Sequence, residues 1–265
     1  MARLFVIGGA AGTSVLRRFV ALAGGPAADI VVIATASLSP SELEAEHIAL
    51  FRELGAGHVR ALRLSTRAEA NAIDPGVLES ATGVYFTGGD QLRITTVLGG
   101  TRFDSLLQTL VHERRIVLAG TSAGAAMMSG TMILGGDGPG VTTACVRTGP
   151  GLEFLPGVLI DMHFAERGRL NRLLSAVALY PHELGLGIDE DTAILADGDV
   201  LEVLGSGSVT IVDAGGATDI RVPADGPIAL VGARIHVLPA GCRFELSGRR
   251  PSIVDGAAGE RGQTV

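Results

Sequence analysis

The chain has 265 residues, 47% of them apolar and 18% charged, with 38 glycines and a formal net charge of −7. That length supports a large folded unit with a substantial core, and the apolar content excludes a disordered chain. All 21 basic residues are arginine, which excludes lysine Schiff bases, pyridoxal phosphate anchoring, a Walker A loop and a Ser–Lys dyad, while the net negative charge speaks against a general nucleic-acid binder.

In chain order, Arg3–Gly8 reads as a strand running into a glycine turn, and its apolar run is too short for a signal peptide. A helix is expected from Ser14 to Ala23, ended by Gly24-Gly25-Pro26. Ile30–Ala34 is a β-branched run that predicts a buried strand. Ser39-Pro40-Ser41-Glu42 predicts a capping box with proline in the first helical position, and a helix to Leu54. Val59–Leu64 follows as a strand, Asp74-Pro75 as the start of a short helix, and Val84–Phe86 as a strand ending at Thr87-Gly88-Gly89. Gln91–Leu98 and Phe103–His112 read as helices, and Ile116–Ala119 as a strand that meets Gly120 at once. Val158–Ile160 and Leu184–Asp189 are further strands. From about Gly187 the pattern turns β-rich. Ala193–Leu195 and Val200–Val203 flank the hairpin signal Asp197-Gly198-Asp199, and Val209–Val212, Ile220–Val222 and Ile228–Val237 continue it. Gly256–Val265 reads as a frayed tail.

The repeated strand–helix order predicts an α/β fold, a mostly parallel sheet with helices on both faces. One domain over residues 1–265 is expected, with a β-rich extension from about residue 205. Ligands on such sheets bind outside the carboxyl ends of the strands. The glycine pairs Gly8-Gly9 and Gly88-Gly89 and the run Gly120–Gly124 all fall there. No stretch approaches the ~20 apolar residues of a membrane span. Cys145 and Cys242 have neither metal-type spacing nor the look of a disulfide framework, so a reduced, cytoplasmic setting is expected.

The strongest chemical signal is Ile116-Val-Leu-Ala-Gly-Thr-Ser-Ala-Gly-Ala125. A hydrophobic strand meets a tight turn and then a helix, with Ser122 inside Gly-x-Ser-x-Gly, the pattern of a nucleophile elbow. An N-cap serine is the common alternative; the strand before it and the glycines on both sides favour the elbow. The N–H of Ala123 is placed to hold an oxyanion, and the N–H of Gly89 or Asp90 is the candidate second donor. Gln91 can meet a polar group of the substrate, although Asp90 also suits a plain helix cap. Among the six histidines, His163 follows a buried strand and has Asp161 beside it, which favours it as the base. The acids Asp189, Glu190 and Asp191 all stand at a strand end, and spacing does not rank them. Arg167, Arg169 and Arg172 form the densest cation cluster near this base. With a helix from Gly168, Arg169 and Arg172 share a face, and the cluster suits either an anion or bulk water.

Together these residues resemble a known family. Gly88-Gly89-Asp90-Gln91, Gly120-Thr-Ser-Ala-Gly-Ala125, Asp161-Met-His-Phe164 with Arg167-Gly-Arg-Leu-Asn-Arg-Leu173, and Gly187-Ile-Asp-Glu-Asp-Thr192 stand in the order seen in cyanophycinases, serine peptidases related to dipeptidase E. The resemblance covers roughly residues 3–204. It implies a fold like that of class I glutamine amidotransferases, no metal or organic cofactor, and a homodimer. It also implies that Ser122 is the nucleophile, His163 the general base and acid, and Glu190 the orienting carboxylate. Gln91, Asp161, Arg167, Arg169 and Arg172 are implied to line the substrate pocket. The implied substrate is cyanophycin, a poly-aspartate with arginine on each β-carboxyl, released as β-Asp-Arg. Enzyme arginines would grip the free carboxylate of each branch, and Asp161 or the Gln91 oxygen would accept its guanidinium. Met162 departs from the family's glutamine and Asn171 from its glycine, which puts a related aspartyl dipeptidase or an isopeptidase beside the leading reading. A non-catalytic amidotransferase-like binding protein is the third reading, and a His163 far from Ser122 would support it.

Overall fold

The computed structural model describes residues 3–253, so the tail expected at Gly256–Val265 lies outside the described residues. The first half alternates as its apolar periods dictate: β1 (Arg3–Ile7), α1 (Thr13–Leu22), β2 (Asp29–Ile33), α2 (Pro40–Glu53), β3 (His58–Ala61), α3 (Arg67–Asn71), β4 (Gly83–Phe86), α4 (Gln91–Leu98), α5 (Arg102–His112) and β5 (Val117–Thr121). The short α6 (Ala123–Ala126) leads to β6 (Thr131–Gly135) and β7 (Arg147–Pro150), then β8 (Val158–Met162), α7 (Leu170–Leu179) and β9 (Leu184–Ile188). The β-rich end comprises β10 (Thr192–Asp197), β11 (Val200–Gly205), β12 (Ser208–Asp213), β13 (Asp219–Arg221), β14 (Ala229–Val231), β15 (Arg234–Pro239), β16 (Cys242–Glu245) and β17 (Arg250–Ile253).

The largest sheet has the order β17-β16-β11-β10-β1-β5-β4-β2-β3. It is mixed, and this corrects the expectation of a mostly parallel sheet. The strands from β3 to β1 run parallel, whereas β10, β11, β16 and β17 join antiparallel. For β11 the reason is covalent. Asp197 pairs with Val200 across a two-residue connection, and so short a link can only return the chain antiparallel. A second sheet, β15-β12-β9-β8, contains the parallel pair β8–β9. The β-rich end is therefore shared between the sheets: β12 and β15 complete the second, and β16 and β17 widen the first.

Period-two alternation places both layers. In β1, Leu4 and Val6 enter one apolar cluster while Phe5 and Ile7 enter another. The second cluster takes Val15, Leu16, Phe19 and Val20 of α1 and Phe51 of α2. Burying one such phenylalanine contributes roughly 1.5–3 kcal/mol. The first cluster holds the α4 and α5 faces together with Val158 and Ile160 of the second sheet. The other face of that sheet packs on α7 through Leu159, Leu173 and Val177.

Several local expectations shift. Ser39 caps α2 without a side-chain bond, while Thr66 and Glu69 make the capping box, at α3. Ile228–Val237 is broken into β14 and β15 at Gly232, whose φ is +81°. Among the described residues, no helix is long and apolar enough to cross a membrane.

Candidate active site

The carboxyl ends of β1, β4, β5, β8 and β9 converge, so residues from both sheets meet at one place. Ser122 follows β5 with φ 52° and ψ −110°, a strained backbone that throws its side chain out of the turn. The flanking glycines are required by space. A Cβ on Gly120 would sit 2.2 Å from the Gly124 carbonyl oxygen, and one on Gly124 would sit 2.5 Å from that of Phe86. The helix after the elbow is only Ala123–Ala126, shorter than the Ala- and Met-rich run suggests. Any oxyanion held here therefore depends on individual N–H groups rather than on a long dipole. Asp90 donates its N–H to the Ala36 carbonyl at 3.0 Å and caps α4 by accepting from Leu92, which removes it as the second donor. The N–H groups of Gly89 and Ala123 have no acceptor among the described residues. Gly88 lies against Ser122, and a cavity of about 620 Å³ opens beside it, lined by Ser37, Leu38, Asp90 and Arg93.

His163 extends from β8 with a φ of +49°. Its Nε2 is 3.0 Å from Ser122 Oγ, and its Nδ1 is 2.6 Å from Glu190 Oε1. With the proton on Nδ1, the imidazole donates to Glu190 and accepts the serine hydroxyl, an arrangement able to activate an oxygen nucleophile. His163 is thus not far from Ser122, the separation that would have supported a non-catalytic reading. The same geometry separates the acids that spacing leaves unranked. Asp189 is occupied by the N–H of Ala165 and by Ser208, and Asp191 by the N–H of Gly12 and by Ser206. Glu190 alone of the three reaches the imidazole, and its own N–H is held at 3.2 Å by the Glu166 carboxylate. The roles of Asp189, Asp191 and Glu166 are long-range ties that spacing does not reveal.

The end of β1 joins the converging loops. Ile7, Gly8 and Gly9 offer consecutive carbonyls, which accept from the N–H groups of Ser122 (3.1 Å), His163 (2.9 Å) and Asp191 (3.0 Å).

The expected substrate residues divide. Asp161 is fully buried, its carboxylate taken by Arg172 (Nε to Oδ2 2.8 Å), by Arg169 at 3.4 Å and by the Met162 N–H at 2.9 Å. Buried and so engaged, it stands here as the ion-pair partner of Arg169 and Arg172 rather than as an open acceptor for a substrate guanidinium, unlike the expectation for it. Arg172 is nearly buried and further donates to the Gly136 carbonyl, and Arg169 donates to that of Met162. Burial holds the Arg169 guanidinium below the usual arginine range, with Asp161 beside it opposing that shift. Arg167 is exposed; its N–H donates to the His163 carbonyl at 3.2 Å, while its guanidinium has no hydrogen-bonding or ionic partner among the described residues. It shares a cavity of about 190 Å³ with Asp137, Arg169, Asn171 and Arg172. Gln91 spends its amide on the Ile133 carbonyl at 2.8 Å, and its oxygen has no hydrogen-bond donor among the described residues. The Met162 side chain is buried in the main apolar cluster, and Asn171 ties the Pro139 carbonyl. A further cavity of about 510 Å³, around Leu4, Phe154 and Ala196, contains none of these residues.

The profile of Peptidase family S51 matches residues 4–204. The chain belongs to peptidase family S51. It is thus a serine-type peptidase. It is 41% identical to a cyanophycinase from Nostoc sp. (strain PCC 7120 / SAG 25.82 / UTEX 2576), over 92% of this chain and 85% of that protein. A cyanophycinase from Geminocystis herdmanii (strain PCC 6308) is 38% identical, over 94% of this chain and 95% of its own length. The crystal structure of a peptidase from an acI-B1 Actinobacterium superposes with a TM-score of 0.64 at 21% identity, covering 92% of this chain and 97% of that one, a likeness of fold. The S51 match spans every strand end that gathers at Ser122.

Proposed function

We propose that this S51 peptidase is a cyanophycinase that hydrolyses the aspartate backbone of cyanophycin to β-Asp-Arg. The observation that carries the catalytic part is the continuous line from Ser122 Oγ through His163 to Glu190, at 3.0 and 2.6 Å. Ser122 Oγ attacks the aspartyl carbonyl as His163 Nε2 takes its proton. Glu190 holds the imidazolium, and the Gly89 and Ala123 N–H groups receive the oxyanion. The proton then passes to the leaving amine, and water, deprotonated by His163, releases the acyl group and restores the serine. The chemistry runs on these side chains. Mass spectrometry of the soluble products after incubation with cyanophycin tests the substrate: β-Asp-Arg is the expected product, and cleavage of short aspartyl dipeptides with no product from the polymer would overturn it.

Glu190→Gln is expected to lower kcat by about 10³–10⁴-fold, because an amide presents the wrong partner to the imidazole. Asp189→Asn and Asp191→Asn, which tie loops, are expected to lower the melting temperature far more than kcat in the folded fraction. Steady-state kinetics beside thermal melts separate the two effects.

For the arginyl branch, Arg167 is the guanidinium of this cavity that has no partner among the described residues, suited to grip the branch carboxylate. With Asp161 consumed, Asp137 and the Gln91 oxygen are the acceptors that remain for its guanidinium. Asp137→Asn is expected to raise KM for cyanophycin about tenfold with little change in kcat, since a substrate contact made equally in ground and transition states is lost. An unchanged KM removes Asp137 from the subsite.

We further read the fold as class I glutamine amidotransferase-like, on the elbow at β5 and the parallel order β1-β5-β4-β2-β3. A homodimer in a reduced, cytoplasmic setting fits the two buried, unpaired cysteines and the family resemblance.

A further inference from the structure

We propose that Gly9 is a positioning residue for His163: the place of the imidazole is the space that a side chain on Gly9 would fill. The inference rests on the nucleophile reading of Ser122 and goes beyond it. A Cβ built on Gly9 would lie 2.2 Å from His163 Cε1, 2.6 Å from Nδ1 and 2.8 Å from Nε2. Atoms at those distances overlap, and the overlap falls on both ring nitrogens, the two that reach Ser122 and Glu190. Gly9 has a φ of +130°, a conformation that glycine alone adopts without strain. Its neighbours prevent an easy retreat of either partner. The His163 N–H is tied to the Gly8 carbonyl, and the Gly9 carbonyl is tied to the Asp191 N–H, next to Glu190. The ring is thus set against bare backbone on one side and held by hydrogen bonds at both nitrogens.

A methyl at residue 9 therefore displaces the imidazole from its line with Ser122 while leaving the Arg167 cavity untouched. A displacement near 1 Å in such a site costs about 100-fold in rate. The test compares Gly9→Ala with Gly100→Ala, a control at φ +70° with nothing within 4 Å of the added methyl. The readout is the second-order rate of Ser122 labelling by a fluorophosphonate. The serine oxygen displaces fluoride from phosphorus and His163 takes the proton, so cyanophycin is not involved. Gly9→Ala is expected to label about 100-fold more slowly, with KM for cyanophycin unchanged and the low-field proton resonance of the His163–Glu190 hydrogen bond shifted or lost. Gly100→Ala is expected to label at the wild-type rate. A folded Gly9→Ala protein that labels like wild type overturns the proposal.

A second measurement covers loss of stability. The melting temperatures of wild type, Gly9→Ala, His163→Ala and the double variant form a cycle. With the ring removed, the added methyl should cost less, so the double variant is expected to recover part of the stability lost in Gly9→Ala. An equal loss in both backgrounds, or a double variant that also fails to fold, shows that residue 9 does not act through His163. Failure of wild-type enzyme to cleave cyanophycin while still labelling Ser122 would sink the substrate reading and leave this test intact.

Discussion

Ser122→Ala is expected to lower turnover on cyanophycin by at least about 10⁴-fold, with the melting temperature near that of wild type. Two features make the loss large and local. The removed oxygen is the atom that His163 Nε2 faces at 3.0 Å, and among the described residues no other hydroxyl is hydrogen-bonded to that nitrogen. The remaining backbone is unchanged, because the elbow is fixed by the glycine contacts at Gly120 and Gly124 and by the bond from the Ser122 N–H to Ile7. Alanine at φ 52° inherits the strain already present in the serine and adds little. Residual activity should come from substrate binding and oxyanion contacts alone. Steady-state rates on purified enzyme, beside a thermal melt, check both halves of the expectation; wild-type turnover in the variant excludes Ser122 as the nucleophile.

The second large effect concerns stability. Asp161→Ala is expected to destabilise the fold by about 3–5 kcal/mol, since it leaves buried guanidinium groups without their carboxylate. Asp161 is fully buried, and the side chains of Arg169 and Arg172 that converge on it are only 15% and 9% exposed. Their cluster ties the end of β8 to the start of α7, on either side of His163, so part of the damage should reach activity through geometry. Asp161→Asn is expected to be milder, keeping the shape and some hydrogen bonds while losing the charge. Urea unfolding measures the loss. A stable Asp161→Asn enzyme with a raised KM would instead mark this carboxylate as a direct substrate contact.

The contact between Ser122 and His163 was largely legible because its parts are signalled locally. A β-branched strand, a Gly-x-Ser-x-Gly turn and a histidine at the end of another buried strand each announce themselves within about ten residues. What separated Glu190 from Asp189 and Asp191 is not local: the three are consecutive, and their directions are set by ties to Ala165, Gly12 and the Ser206–Ser208 segment. The arginine motif was legible as a cation cluster but not in its direction. The helix expected from Gly168 starts at Leu170, with Arg169 as its N-cap and Arg172 in its first turn; both turn inward to Asp161 of β8, and Arg167 stays outside. The mixed sheet was hidden for a related reason. The strands β16 and β17 are short and interrupted by charge at Arg243, Glu245 and Arg250, so no apolar run marks them. The pair β6–β7 is rich in glycine and bulged between Ile133 and Gly135, which erases the period-two pattern.

At the centre of the proposed mechanism is a serine made reactive by the imidazole beside it. Treating the purified protein with a fluorophosphonate and mapping the modified peptide reports that directly. The predicted result is a single adduct on Ser122, lost in Ser122→Ala and much slowed in His163→Ala. An unlabelled Ser122, or an adduct on another residue that persists in Ser122→Ala, would contradict it.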